Sequence, residues 1–181
     1  MAKIVKYEKR PVKLTRAYNM NTVSWKDAFG NWNESLNNGD WVKPAIGHFV
    51  SHNAERIPEV QAVLNDLNIE VAHLYIGIDV SNEGYGEHVD WSDVWFWQQK
   101  GRTRWDVDMG EVSKPDWQSY ELDEGDLLFV PKGIYHKVTS LEARFGISMT
   151  SESIKRILIP GHNPYGSDEA SLSTKERYKR K

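Results

Sequence analysis

The feature that most constrains this chain is a repeated strand pattern in its central part. In residues 69–80, IEVAHLYIGIDV, the apolar side chains of Ala72, Leu74 and Ile76 recur at every second position. Such alternation is typical of a β-strand that buries one face. Seven more short runs of β-forming residues follow, and turns rich in glycine separate them. Many short strands at regular spacing predict a sandwich or barrel, here of about eight strands.

The residues before these strands predict one or two helices. Ser24 is a good cap for a short helix that runs to Leu36, although Gly30 weakens the pattern. Residues 54–67 carry apolar side chains three and four positions apart, and Pro58 suits a first helical turn. The predicted fold class is therefore mainly β, with one or two N-terminal helices packed on a barrel.

We expect one domain made of three parts. Residues 1–68 are predicted to form an N-terminal arm and helices, in which Pro11 interrupts an edge strand. Residues 69–150 are predicted to form the barrel, and residues 151–181 an extension with a basic tail. A length of 181 residues suits a single domain that buries a sizeable core.

Composition excludes several classes of site and partner. The chain has no cysteine, which excludes disulfides, a thiolate zinc site and a cysteine nucleophile. No stretch reaches the ~20 apolar residues of a membrane span, and MAKIVKYEKRPVKLTR lacks the features of a signal peptide. We expect a soluble, cytoplasmic protein with no membrane partner. Both ends are basic, but we interpret them as solvated tails, so a nucleic acid is not an expected partner.

A metal site is predicted from three residues. His88 and Asp90 are two positions apart, so a strand presents both side chains on one face. His136 begins an extended run just after a Pro-Lys-Gly turn, and it is the natural third ligand. Two histidines and one carboxylate leave coordination positions open, as in non-haem Fe(II) oxygenases. We interpret the four remaining histidines as structural: His48, His52, His73 and His162. Of these, His73 could point into the barrel, because it shares a strand face with Tyr75.

The residues around these ligands carry a family resemblance. GEHVDWSDVWFWQQKGRTRW, residues 86–105, and ELDEGDLLFVPKGIYHKVTSLEARFGISM, residues 121–149, resemble the JmjC-type branch of the cupin superfamily. The likeness is greatest to ribosomal-oxygenase-like members of that branch, and it covers under half of the chain. It implies a double-stranded β-helix that holds Fe(II) at His88, Asp90 and His136. It also implies 2-oxoglutarate as cosubstrate and a polypeptide side chain as the target of hydroxylation.

The chain departs from this family at one position. The strand after the Gly-Arg turn usually carries a Lys or Arg that pairs with the distal carboxylate of 2-oxoglutarate, and here Thr103 stands in that place. Burying a carboxylate without a cation is costly. Our hypothesis is that Arg144, helped by Thr103 and Tyr75, binds the cosubstrate, and that Gln98 lies near the iron. The alternative is that Arg144 lies at the rim in a surface ion pair.

The tryptophans that follow the second ligand divide by strand parity. Val94 and Phe96 are predicted to line the barrel interior, so Trp95 and Trp97 pack outward, under the N-terminal helices. Trp91, directly after Asp90, is the candidate for a substrate-contacting ring, with an aromatic sugar platform as the second interpretation.

Two other functions stay open at this point. A non-catalytic cupin-like protein would keep the fold and serve as a structural or binding module. A metal-dependent cupin of another kind would use the metal without 2-oxoglutarate. The absence of a basic residue at position 103 supports the first of these alternatives. The sequence does not predict an oligomeric state.

Overall fold

In the computed structural model, the described residues are 10–18, 23–40, 42–45, 47–80, 86–90, 92–110 and 114–150. Two helices are described, α1 (Trp25–Asn37) and α2 (Pro58–Leu67), with a single 3₁₀ turn, Ala54–Arg56, before the second. The strands, in chain order, are β1 (Val12–Leu14), β2 (Val42–Ala45), β3 (His48–Ser51), β4 (Val71–Gly77), β5 (Val94–Lys100), β6 (Thr103–Asp108), β7 (Trp117–Leu122), β8 (Leu127–Val130), β9 (His136–Ser140) and β10 (Arg144–Thr150).

The strands form two antiparallel sheets. The larger sheet has the order β1-β8-β5-β10-β4-β3-β2, and the smaller one has the order β7-β6-β9. From β5 onward the chain crosses repeatedly between the two sheets, and β6 and β7 are the one consecutive pair of described strands that stays in the same sheet. The prediction of a mainly β fold is confirmed. The run His88-Val89-Asp90 differs from the prediction, because only His88 joins a ladder, through an isolated bridge to His136.

Side-chain parity along β5 separates two cores. Trp95 and Trp97 belong to the core between the larger sheet and α2, together with Leu74 and Ile76 of β4. Val94 and Phe96 face the other way, into the barrel, where they pack with Trp105 of β6. The outward packing predicted for Trp95 and Trp97 is thus confirmed. Residues that point into the barrel are the ones that can reach a site inside it.

The helices begin where the sequence predicts. Ser24 caps α1 in a capping box with Asp27, each side chain bonding the backbone of the other. Pro58 occupies the first turn of α2, whose buried face is apolar. The buried face of α1 is small and polar instead. Its Asn31 bonds Asn53 and Ser51, and its two tryptophans pack against the apolar core, so hydrogen bonds and apolar contacts together hold this helix to the sheet.

Three strands of the larger sheet come from the N-terminal part of the chain. β1 pairs with β8 at one edge, and the β2–β3 hairpin extends the other edge beyond β4. The sequence patterns predict an arm here but not this hairpin. Phe49 faces Trp32 of α1, so His48 and Val50 face the barrel interior. Within the described residues, no helix combines the length and apolar character that a membrane crossing requires.

Candidate metal centre

Three side chains converge at the barrel mouth. His88, Asp90 and His136 each present a ligand atom, and these atoms all lie within 4.8 Å of one another. Paired backbone hydrogen bonds join His88 to His136, at 3.0 and 2.9 Å, and the Gly133 amide donates to the Asp90 carbonyl at 3.0 Å. The chain segment that carries the first two residues is therefore fixed directly against the start of β9.

Both imidazoles have one nitrogen directed at the backbone. Nδ1 of His88 lies 2.9 Å from the Gly86 carbonyl, and Nδ1 of His136 lies 3.0 Å from the Ile134 carbonyl. A carbonyl only accepts, so each Nδ1 donates and each Nε2 keeps its lone pair. Such backbone bonds orient histidines that bind metals and fix their tautomer.

The charge state of His136 also suits metal binding. Burial, followed by the proximity of His88, lowers the pKa of His136 to about 4. Its Nε2 lies 3.4 Å from Oδ2 of Asp90, but a neutral imidazole does not form an ion pair at that distance. One carboxylate and two imidazoles form a donor set that fits a divalent first-row metal. The residues present therefore fit the predicted ion.

A cavity runs from these three residues into the barrel. Tyr75, Arg144 and Ser148 line it together with the candidate ligands. The other lining residues are mostly apolar and complete the wall: His48, Val94, Phe96, Trp105 and Val138. Trp105 stacks on His136, with ring centroids 5.2 Å apart and planes 22° apart. The cavity is thus a mainly apolar chamber with a few placed polar groups, as in binding sites for small molecules.

Arg144 is a buried cation inside this chamber. Only 2% of the residue is exposed, and its partners are the Ser140 hydroxyl at 3.1 Å and the Tyr75 carbonyl at 3.4 Å. No described carboxylate forms an ion pair with it. Burial lowers the pKa of Arg144 to about 10, which leaves the guanidinium charged at neutral pH. The alternative of a surface ion pair at the rim is therefore wrong.

Thr103 and Gln98 lie together at the turn between β5 and β6. The Thr103 hydroxyl donates to Oε1 of Gln98 at 2.9 Å, and Nε2 of Gln98 donates to the carbonyls of Lys100 and Gly101. Both residues are fully buried, and neither is among the residues that line the cavity. A direct contact with a cosubstrate stays a prediction for both, and it would require these bonds to rearrange.

The remaining predicted residues have different positions. Tyr75 lines the cavity, with its ring 6.4 Å from that of Phe96. Trp91, predicted to contact the substrate, lies outside the described residues. His48 and Trp105 also line the cavity, although the sequence patterns did not predict either as a site residue. His48 lies in a four-residue strand whose local sequence does not mark it as facing inward.

Comparison with known proteins gives the family. The JmjC domain matches residues 49–157, which is more than half of the chain. The chain belongs to the JmjC domain family. No match was found among curated proteins.

Solved structures show the same fold. YcfD, a ribosomal oxygenase from Escherichia coli, in complex with cobalt and 2-oxoglutarate, is similar with a TM-score of 0.65 at 19% identity. A second structure of YcfD gives 0.66 at 19%, and a complex with cobalt and succinic acid gives 0.61 at 18%. In each case the match covers 97% of this chain and 62% of YcfD. This JmjC chain is therefore a double-stranded β-helix that spans about three fifths of those relatives.

Proposed function

We propose that this JmjC chain is a 2-oxoglutarate-dependent Fe(II) oxygenase that hydroxylates a polypeptide side chain. The observation that carries the proposal is one cavity that contains both a His-Asp-His donor set and a buried arginine. A metal site alone would suit many cupins. An arginine without an acidic partner, enclosed in the same chamber, adds a site for an anion.

The roles of the residues follow from their positions. His88, Asp90 and His136 would hold Fe(II), which supplies the oxygen chemistry when bound. Arg144 would bind the distal carboxylate of 2-oxoglutarate, since a buried guanidinium is stabilised by a paired carboxylate. Tyr75 would border the cosubstrate. The apolar walls would exclude water and strengthen these interactions.

A polypeptide substrate is supported by kinship and by charge. YcfD, which is similar over nearly all of this chain, is a ribosomal oxygenase. The middle of this chain is acidic, which favours a cationic polypeptide. We propose Trp91 as a substrate contact because it follows the ligand Asp90 directly in the sequence.

Turnover and binding together test the proposal. Purified anaerobically and loaded with Fe(II), the protein should convert 2-oxoglutarate to succinate slowly on exposure to oxygen, even without its prime substrate. Tight metal binding without turnover would favour a cupin that does not use 2-oxoglutarate. Failure to bind metal would favour a structural module.

Arg144→Ala tests the anion site. Loss of a charge-assisted pairing should raise the Kd of 2-oxoglutarate by roughly tenfold to a hundredfold, measured by calorimetry on the cobalt-loaded protein. Arg102→Ala is the matched control, because Arg102 pairs with Glu142 and is nearly half exposed. An unchanged Kd in Arg144→Ala would show that the cosubstrate carboxylate binds elsewhere.

A further inference from the structure

Three residues form a row across the larger sheet beside the cavity. His48 of β3 pairs with Gly77 of β4, and Gly77 pairs with Arg144 of β10. Residues opposite one another in adjacent strands present their side chains on the same face. Both His48 and Arg144 line the cavity, which places that face inside the barrel. Two strand spacings, roughly 10 Å, separate the backbones of the outer two.

The gap at Gly77 is filled by the arginine. A Cβ atom added at Gly77 would lie 3.0 Å from Nε of Arg144 and 2.6 Å from the Ser140 hydroxyl. Nη1 of Arg144 reaches the carbonyl of Tyr75, which is also on β4. The guanidinium therefore extends from β10 over the backbone of β4, toward the strand that carries His48.

His48 lines the same chamber from β3. It is only 4% exposed, and its ring centroid lies 6.0 Å from that of Tyr75. Asp90, at the metal, is the one acidic residue among those that line the cavity in the described part of the chain. The lining thus brings a guanidinium and an imidazole into the same chamber, and both can donate hydrogen bonds to an anion.

We propose that His48 is a second binding residue for the distal carboxylate of the cosubstrate, forming with Arg144 a clamp across Gly77. This inference rests on the proposed function, since it assigns a residue to the same cosubstrate. It explains how the chamber binds a dicarboxylate although Thr103 replaces the basic residue on β6. It also gives the N-terminal hairpin a part in the site, because His48 is on β3. This strand precedes the eight strand segments of the predicted barrel.

Paired variants and paired ligands test the clamp. Calorimetry on the cobalt-loaded protein compares 2-oxoglutarate with 2-oxobutyrate, which has the same keto-acid group but no distal carboxylate. His48→Leu fills the space without a donor, and His48→Gln keeps an amide donor. We expect His48→Leu to raise the Kd of 2-oxoglutarate about tenfold and to leave that of 2-oxobutyrate unchanged, while His48→Gln recovers most of the loss. His52→Leu, on the same segment but outside the cavity lining, should bind both ligands as the parent protein does.

Each outcome decides the matter. Equal affinity of His48→Leu and the parent protein for 2-oxoglutarate overturns the clamp but leaves the proposed function standing. An equal loss for both keto acids also overturns it, because the effect would then not concern the distal carboxylate. If the parent protein binds cobalt but not 2-oxoglutarate, the proposed function fails and the clamp fails with it. Should His48→Leu fold poorly, His48→Asn takes its place, because its shorter amide moves the donor away from the carboxylate. It should then bind 2-oxoglutarate more weakly than His48→Gln, and equal affinity of these two variants overturns the clamp.

Discussion

At the scale of single residues, the absence of a side chain at Gly77 is what gives Arg144 its place. The backbone there is ordinary strand, so the reason for glycine is space rather than a positive φ. A methyl group would meet both Arg144 and Ser140, two residues that hydrogen bond to each other. The size of the residue at position 77 therefore affects both the packing of the sheet and the direction of the Arg144 guanidinium.

Gly77→Ala should consequently impair binding as well as stability. We expect a loss of about 1–3 kcal/mol in the free energy of unfolding, from overpacking, and a Kd for 2-oxoglutarate raised severalfold as the guanidinium is displaced. Chemical denaturation and calorimetry measure the two effects. Gly30→Ala is the control, because nothing lies within 4 Å of its added Cβ, and alanine in a helix should stabilise by up to ~1 kcal/mol. Unchanged binding in Gly77→Ala would mean that Arg144 does not need this space.

Sequence alone predicts the direction of Arg144 but not of His48. Arg144 lies on a long strand next to a strong turn, so counting alternate residues back from Ser148 brings it into the barrel. His48 lies in a four-residue strand with no amphipathic run around it. Its inward direction comes from pairing with β4, a contact between distant parts of the chain. Local patterns contain no information on such pairing.

At the scale of elements, a buried carboxylate fastens β1 to the sheet. Asp126, with its side chain 1% exposed, pairs with Lys13 at 2.7 Å and accepts the amide of Arg16 at 2.9 Å. It also accepts the amide of Asp123 at 3.1 Å, so one side chain ties the turn before β8 to the N-terminal strand. The three-residue β1 has little apolar area of its own to hold it there.

Asp126→Ala should release this strand. Two amides and the Lys13 ammonium would lose their partner, which we expect to cost about 2–4 kcal/mol in the free energy of unfolding. Hydrogen exchange should show faster exchange in β1 and in the facing β8 backbone. Glu124→Ala is the control, since its ion pair with Lys100 is exposed and should contribute under about 1 kcal/mol. Equal effects in the two variants would contradict the role of Asp126.

Element boundaries were predictable where capping chemistry marks them. Ser24 and Pro58 mark the starts of α1 and α2. The Ser24 side chain accepts a hydrogen bond from a free amide of the first turn, and proline suits the first turn, where its missing N–H has no helical partner to lose. The run of β4 ends at Gly77, earlier than alternation suggests, and Ile78 and Val80 are about half exposed. The reason is that the backbone leaves the ladder after Gly77, where the amides of Ile78 and Asp79 donate to the Gly47 carbonyl instead.

At the scale of the whole molecule, the donor set joins distant parts of the chain. His88 and Asp90 precede β5, whereas His136 begins β9, and a bound ion would connect them across the barrel mouth. An ion that binds only the folded chain stabilises it in proportion to the logarithm of its concentration. The fold and the site are in this sense one thermodynamic system.

Metal should therefore raise the melting temperature. At a hundredfold excess over Kd, we expect cobalt to raise Tm by roughly 5–10 °C, and EDTA to reverse the shift. Asp90→Ala should abolish the cobalt-dependent shift while changing the metal-free Tm little. Asp116→Ala, an exposed aspartate in another loop, should keep the full shift. Differential scanning fluorimetry measures these shifts. A full cobalt-dependent shift in Asp90→Ala would mean that the ion binds elsewhere.

The barrel and its metal residues were predictable because short strands, turns and ligand spacing are local signals. The seven-stranded sheet was not, since its N-terminal strands are short and their pairing is between distant residues. The cosubstrate end was predictable only in part. The sequence shows that position 103 lacks a basic residue. The residues that would bind the carboxylate in its place depend on how β3, β4 and β10 pair.

The stacking of Trp105 on His136 has an optical consequence. An indole ring 5.2 Å from an imidazole that faces the metal position is close enough for a bound transition ion to quench its fluorescence. Trp95 and Trp97 are buried as well, so a bound ion should quench the part of the short-wavelength emission that comes from Trp105, the ring stacked on a candidate ligand. Occupancy of the centre would then be readable from the light the protein itself emits, with no added dye.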